Sequence, residues 1–132
     1  TLWASYVLDA PSLKLFLGGD SGYDSHYTKI GADHGPFDLA ILENGQYDAA
    51  WPYIHHHPKE VLLAAKDLGA KRIFPVHSGK FPLANHPWDE PLSLISNLNK
   101  DHGISLITPV IGQLVNINNP REHFSPWWEG LE

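Results

Sequence analysis

Cysteine and methionine are both absent from this sequence of 132 residues. Without cysteine the chain can form neither a disulfide nor a thiolate nucleophile, so any metal ion must be held by histidine and carboxylate side chains. No apolar run approaches the roughly 20 residues that a membrane-spanning helix needs. Because methionine is absent, we expect the sequence to be part of a longer protein, and no signal peptide is visible in it.

Basic residues are few and scattered. The sequence has 9 lysines and arginines against 15 aspartates and glutamates, and its net charge is −6 with histidine neutral. It lacks the basic stripe that nucleic-acid binding usually needs, which argues against a nucleic-acid partner. The length suits one domain, and the 42% hydrophobic composition is typical of a globular protein. Since no signal sequence is visible, we expect a cytoplasmic protein.

The hydrophobic pattern predicts one α/β domain over residues 1–132, with helices packed on a mixed sheet. We expect strands at residues 2–8, 13–17, 37–42, 72–76, 104–107 and 113–117, the first two paired as a hairpin. We expect helices at residues 24–32, 58–68 and 91–103. Pro58 is suited to the first turn of the second helix, and Gly69 is a natural C-terminal stop.

Asp20 and His77 each follow a predicted strand, and Gly18 and Gly19 precede the aspartate. If the strands are parallel, their carboxyl ends share the edge where open α/β sheets bind ligands. Carboxylate and imidazole are ligands that Zn²⁺ accepts, although two ligands are too few for a stable site. The alternatives are that Asp20 caps the next helix and that His77 is structural.

Two further groups of polar residues come after the third predicted strand. Glu43, Gln46 and Tyr47 can line a cleft, although an ordinary turn explains them equally well. His55-His56-His57 is a run of three histidines, of which at most two can share an ion because adjacent side chains of an extended segment alternate in direction. One of them can instead act as an acid or hydrogen-bond donor, and the alternatives are a helix-entry loop and adventitious metal binding.

Five segments resemble, in order and spacing, the C-terminal half of metallo-β-lactamase-fold hydrolases. They are Gly18-Gly-Asp-Ser-Gly-Tyr23, Gly35-Pro-Phe-Asp-Leu-Ala40, Glu43-Asn-Gly-Gln-Tyr47, His55-x-x-Pro-x-Glu60 and Pro75-Val-His-Ser-Gly-Lys-Phe-Pro-Leu-Ala84. The most similar branch contains N-acyl phosphatidylethanolamine phospholipase D and its bacterial relatives, and the ascorbate-6-phosphate lactonase branch is more distant. The resemblance runs from about Leu2 to Ile117 and implies the C-terminal half of an αββα sandwich.

The resemblance also implies roles for individual residues. Asp20 matches the carboxylate that bridges two metal ions, usually zinc, and His77 matches the last histidine ligand of the second ion. His55 matches a histidine near the active site, in a catalytic or substrate-contacting role. Glu43, Gln46 and Tyr47 lie where the family lines its substrate cleft.

The principal metal motif of the family, His-x-His-x-Asp-His, does not occur in this sequence. The resemblance therefore implies that the chain provides part of the ligand set and is inactive alone. The whole protein would be a hydrolase with two Zn²⁺ ions, cleaving a phosphodiester or an ester or lactone bond in a small-molecule or lipid-like substrate through a metal-activated water.

Association with an N-terminal half, or with a second copy of the chain, is expected. The alternative function is a non-catalytic α/β binding or interaction module with incidental histidines. The two functions differ in whether Asp20 and His77 approach a common point.

Overall fold

A single mixed sheet forms the centre of the computed structural model, which describes residues 3–131. Its five strands lie side by side in chain order: β1 (Tyr6–Ala10), β2 (Leu13–Leu17), β3 (Leu39–Glu43), β4 (Arg72–Val76) and β5 (Ser105–Leu106). The β1–β2 pair is antiparallel and the pairs from β2 to β5 are parallel. The α/β architecture with a mixed sheet, predicted from the sequence, is confirmed.

Three α-helices connect the strands: α1 (His26–His34), α2 (Pro58–Asp67) and α3 (Glu90–Leu98), the last followed by a 3₁₀ turn at Asn99–Asp101. Helix α2 begins at Pro58 as predicted, and Gly69 follows it with a φ of +64°. The Glu60 carboxylate accepts the backbone N–H of His57 at 2.9 Å at the start of this helix. Among the described residues, no helix has both the length and the apolar character to cross a bilayer.

The helices cover one face of the sheet. Sheet side chains such as Phe16 and Ile73 pack there against helix residues such as Tyr27, Leu62 and Ile95. On the opposite face Leu15, Leu39 and Ile107 are buried, and Val115, Ile117 and Phe124 pack against them. Burial on both faces explains why β3 is apolar along almost its whole length.

The strand predicted at 113–117 is wrong, because that segment joins no strand of the sheet. Two of its backbone groups bond to side chains, and two others bond to the backbone of nearby residues, Gln113 N–H to the Val110 carbonyl and the Asn116 carbonyl to the Asn119 N–H. The Arg72 guanidinium donates to the Ile117 carbonyl at 2.7 Å, and the Glu122 carboxylate accepts the Asn116 N–H at 3.0 Å. Val115 and Ile117 are apolar because they pack on the face of the sheet, so their alternation resembles that of a strand.

Several element boundaries differ from those predicted. Strand β1 begins at Tyr6, because Tyr6 pairs with Leu17, the last residue of β2. The predicted start at Leu2 lies outside the described residues. Helix α3 ends at Leu98 rather than at 103, because the Asn99 side chain bonds both the N–H and the carbonyl of Ile104.

The parallel pairing brings the carboxyl ends of β2, β3 and β4 to one edge. The Gly18 N–H donates to the Ile41 carbonyl at 2.9 Å, and the Asn44 N–H donates to the Val76 carbonyl at 2.8 Å. The segments that follow these three strands therefore leave the sheet side by side. They carry the candidate site.

Candidate metal centre

Asp20, His55 and His77 meet at this edge of the sheet. Each offers one donor atom, and these atoms all lie within 4.8 Å of one another. Asp20 Oδ1 is 3.9 Å from His77 Nε2, and the ring centroids of His55 and His77 are 5.1 Å apart. The side chains of Asp20, His77 and His55 are 49%, 33% and 15% exposed, so a solute can reach them.

The donor set suits a divalent metal ion. One carboxylate and two imidazoles form a ligand set known for catalytic zinc, which leaves a position for water. Bonds of about 2.0 to 2.2 Å allow donor atoms of one ion to be up to about 4.4 Å apart. The donor atoms of Asp20, His55 and His77 all lie within 4.8 Å of one another, a limit close to the spread that one ion allows.

Asp20 is placed by the glycine turn after β2. Gly18 continues the sheet through its bond to Ile41, and Gly19 adopts a φ of +65°, which redirects the chain at small steric cost. Helix α1 has Ser25 at its N-cap, so Asp20 does not cap it. The alternative that Asp20 is a helix cap is therefore wrong.

His77 has an unusual backbone conformation. Its φ of +68° lies in the left-handed region, which is costly for a residue with a Cβ and often occurs at functional sites. The Gln46 side chain holds this conformation by donating from Nε2 to the His77 carbonyl at 3.2 Å. The backbone of Gly45 also passes so close to that carbonyl that a side chain at residue 45 would overlap it.

The three consecutive histidines have three different environments. His55 faces Asp20 and His77, whereas His56 is fully buried with its ring centroid 5.3 Å from that of Tyr27. His57 is the N-cap residue of α2. The structure therefore brings one histidine of the run to the candidate centre. This agrees with the expectation that at most two of the three can share an ion, because adjacent side chains point in alternate directions.

Glu43 lies beneath the centre and is only 1% exposed. Its Oε2 is 3.4 Å from His55 Nδ1, and its Oε1 is 3.2 Å from His56 Nδ1 and accepts the backbone N–H of His56. A carboxylate this deeply buried does not line an open cleft. In this structure Glu43 contacts the two histidines, and the substrate contact predicted for it remains a prediction.

Gln46 and Tyr47 are also largely buried. Every polar atom of the Gln46 side chain bonds within the chain, and the Tyr47 hydroxyl donates to Glu90 Oε1 at 2.7 Å. Burial and the bond to Glu90 raise the pKa of Tyr47, so it stays a neutral phenol. The substrate contacts predicted for both residues remain predictions.

Of the cavities that border the candidate centre, two differ in character. One of about 340 Å³ lies beside His77, and apolar side chains such as Leu92, Ile111 and Trp127 line it. The other, of about 190 Å³, lies beside Asp20 and includes Tyr27, whose pKa burial raises to about 12. The cavity beside His77 is mainly apolar, and the cavity beside Asp20 is more polar.

Sequence reasoning missed two features of this centre. His55 shares a point with Asp20 and His77, although the family resemblance implied for it only a catalytic or substrate-contacting role. Glu43 is the last residue of β3, a strand buried on both faces, so extending the predicted strand by one residue would have predicted its burial.

A family model, several curated proteins and several solved structures match this chain. A family model described as the Beta-lactamase superfamily domain matches residues 1–78. An uncharacterized protein of Mycobacterium tuberculosis is 42% identical over 131 residues, covering 97% of this chain and 35% of that protein. N-acyl-phosphatidylethanolamine-hydrolyzing phospholipase D 1 of Caenorhabditis elegans is 27% identical over 121 residues, covering 86% of this chain and 34% of that protein.

A solved structure has the same fold. It is Igni18, described as a novel metallo hydrolase from the hyperthermophilic archaeon Ignicoccus hospitalis, with a TM-score of 0.62 and 19% identity over 84% of this chain and 44% of that chain. At this identity the likeness concerns the fold alone. The chain spans about a third of the length of the curated relatives described above.

Proposed function

Because the chain belongs to the beta-lactamase superfamily and has the metallo-β-lactamase fold, we propose that it carries part of the active site of a metal-dependent hydrolase. The observation that carries the proposal is the convergence of Asp20, His55 and His77 at the carboxyl edge of the sheet. A non-catalytic binding module gives no reason for these three side chains to meet.

We assign Asp20 and His77 as metal ligands and place His55 against the same point, as a further ligand or as a contact to the substrate. In a longer protein of the relatives' length, other residues would complete a site for two zinc ions. A bound zinc ion supplies Lewis acidity and an activated water at neutral pH. Asp20 and His77 would be the chain's own contribution to holding it, and the buried carboxylate of Glu43 lies next to His55.

The substrate class that we propose is a phosphodiester, in a small-molecule or lipid-like compound. The name of the C. elegans relative describes a phospholipase D, and the apolar cavity beside His77 offers room for an apolar group. An ester or lactone is the alternative substrate. We further propose that the 132-residue chain alone does not turn over substrate.

The test is zinc binding by the chain, measured by calorimetry after treatment with a chelator. Wild type should bind zinc, and Asp20→Asn and His77→Asn should each weaken binding by at least about 10-fold, since each removes one of few ligands. His102→Asn, which changes an exposed histidine far along the sequence from these residues, is the control and should bind as wild type does. Zinc binding that neither ligand substitution changes would overturn the proposal.

The substrate arm uses a longer protein that contains this chain, with bis(p-nitrophenyl) phosphate and p-nitrophenyl acetate as probes. Zinc-dependent release of nitrophenol from the phosphodiester, lost in Asp20→Asn, supports the proposed class. Release from the acetate alone would favour the ester alternative.

A further inference from the structure

Glu43 is a buried carboxylate between two histidines, and the proposed chemistry does not use it directly. Its exposure is 1%, that of His56 is 0%, and the His55 side chain is 15% exposed. An ionised carboxylate in such a position needs hydrogen-bond donors to offset its desolvation. The donors within reach are the backbone N–H of His56 and the rings of both histidines.

The two carboxylate oxygens have different neighbours. Oε1 accepts the His56 N–H and lies 3.2 Å from His56 Nδ1. Oε2 lies 3.4 Å from His55 Nδ1, and both of these atoms are buried without another partner among the described residues. A small closure of this gap makes a hydrogen bond, and only a protonated Nδ1 can donate it.

We infer that Glu43 is a positioning residue that fixes the tautomer and orientation of His55. The Nδ1–H of His55 is directed to Glu43 Oε2, which leaves the lone pair of Nε2 for the point shared with Asp20 and His77. The hydrogen bond made by one ring nitrogen determines which nitrogen is free to bind a ligand. The orientation of His55 follows from its contact with Glu43, and only the identity of the ligand at Nε2 rests on the proposed function.

The substitution Glu43→Gln tests the inference because the carboxylate can accept from both the His56 N–H and the His55 Nδ1–H, whereas the amide has one acceptor oxygen. Its carbonyl oxygen must replace Oε1 and accept the His56 N–H, since an NH₂ group cannot accept. The NH₂ group then faces His55 Nδ1 and donates to it. We therefore expect the proton of His55 to move from Nδ1 to Nε2 in this variant.

The readout is a long-range ¹H–¹⁵N spectrum of the metal-free chain with labelled histidine at about pH 8, where an ordinary imidazole is neutral. Comparison with His55→Gln identifies the His55 signals. Wild type should show the Nδ1–H tautomer, and Glu43→Gln should show the Nε2–H tautomer. Glu90→Gln is the matched control, because it changes a carboxylate that bonds Tyr47 and should leave His55 unchanged.

Zinc affinity gives a second readout, with an expected loss of about 10- to 100-fold in Glu43→Gln and none in Glu90→Gln. An Nε2–H tautomer in wild type overturns the inference even if the variant does not fold, as does an unchanged tautomer in a folded Glu43→Gln. If the tautomer changes as expected but no form of the chain binds zinc, the positioning role holds and the proposed function fails.

Discussion

Gln46 offers a direct test of whether the segment after β3 supports the site or contacts a substrate. Its Oε1 accepts the N–H groups of Leu83 and Ala84 at 2.6 and 3.1 Å, and its Nε2 donates to the carbonyls of His77 and Phe81, both at 3.2 Å. The substitution Gln46→Glu keeps the side-chain length and the acceptor. It replaces the donor with a second acceptor that faces two carbonyl oxygens.

The expected cost follows from those contacts. A lost hydrogen bond costs about 1 kcal/mol, and a buried polar group left unpaired costs about 1 to 3 kcal/mol. Gln46 is 6% exposed, so water replaces little of what is lost. We expect Gln46→Glu to lower the free energy of unfolding by about 3 to 5 kcal/mol.

The assay is urea unfolding monitored by circular dichroism. With a slope of about 2 kcal/mol per molar urea, the midpoint should fall by about 2 M. Gln113→Glu is the control, because among the residues the structure describes the Gln113 side chain makes one hydrogen bond, accepting the Val110 N–H at 2.9 Å, and glutamate can accept it too. It should stay within about 0.5 kcal/mol of wild type. If Gln46→Glu is equally stable, the supporting role derived for Gln46 is refuted, and the substrate contact predicted from the sequence becomes the better explanation.

Two further predictions concern the neighbouring loop and the helix layer. A Cβ at residue 45 would overlap the His77 carbonyl, so Gly45→Ala should cost about 1 to 3 kcal/mol and weaken zinc binding by at least about 10-fold. Gly112→Ala is the control, because apart from its chain neighbours no atom of residues 3–131 lies within 4 Å of a Cβ built there. It should cost only about 1 kcal/mol of backbone strain and leave zinc binding unchanged. Tyr23 donates to Asp67 at 2.7 Å, and this bond raises the pKa of Tyr23 above its ordinary value. Comparison with Tyr23→Phe should show that the bond contributes about 1 kcal/mol to the free energy of unfolding. This contribution should be complete below about pH 10 and lost as the pH rises through the higher pKa of the folded state, because the unfolded state releases its proton first. A difference in urea midpoint that does not change above pH ~10 would contradict this assignment.

The sequence contains enough local information to predict the edge of the sheet that carries the site. Strand β4 has the predicted bounds, and α2 begins at Pro58 because proline at a first turn and glycine after a last turn are local signals. Asp20 and His77 follow strands, so parallel pairing alone brings them to one edge. The element bounds needed no knowledge of long-range contacts, whereas the shared edge also required the parallel pairing of β2, β3 and β4.

What the sequence did not predict depends on contacts between distant residues. Which of the three histidines faces Asp20 is set by the path of the loop from residue 44 to 57, and no periodicity describes that path. The role of Gln46 needs the carbonyls and N–H groups of residues 77–84. Residues 113–117 were predicted as a strand because packing on a sheet face and pairing within a sheet produce the same alternation.

The segment from Glu43 to Gln46 supports both histidines of the candidate centre. Glu43 lies against His55, Gln46 holds the carbonyl of His77, and Asn44 fixes the segment to α3 by donating to the Pro91 carbonyl at 3.0 Å. Asp20 is placed separately, by the turn after β2. Disturbing the segment should therefore displace both imidazoles together and leave the carboxylate where it is. Since preorganised ligands bind a metal more tightly than mobile ones do, the buried polar residues of this segment are better explained as the support of a metal centre than as a surface for substrate.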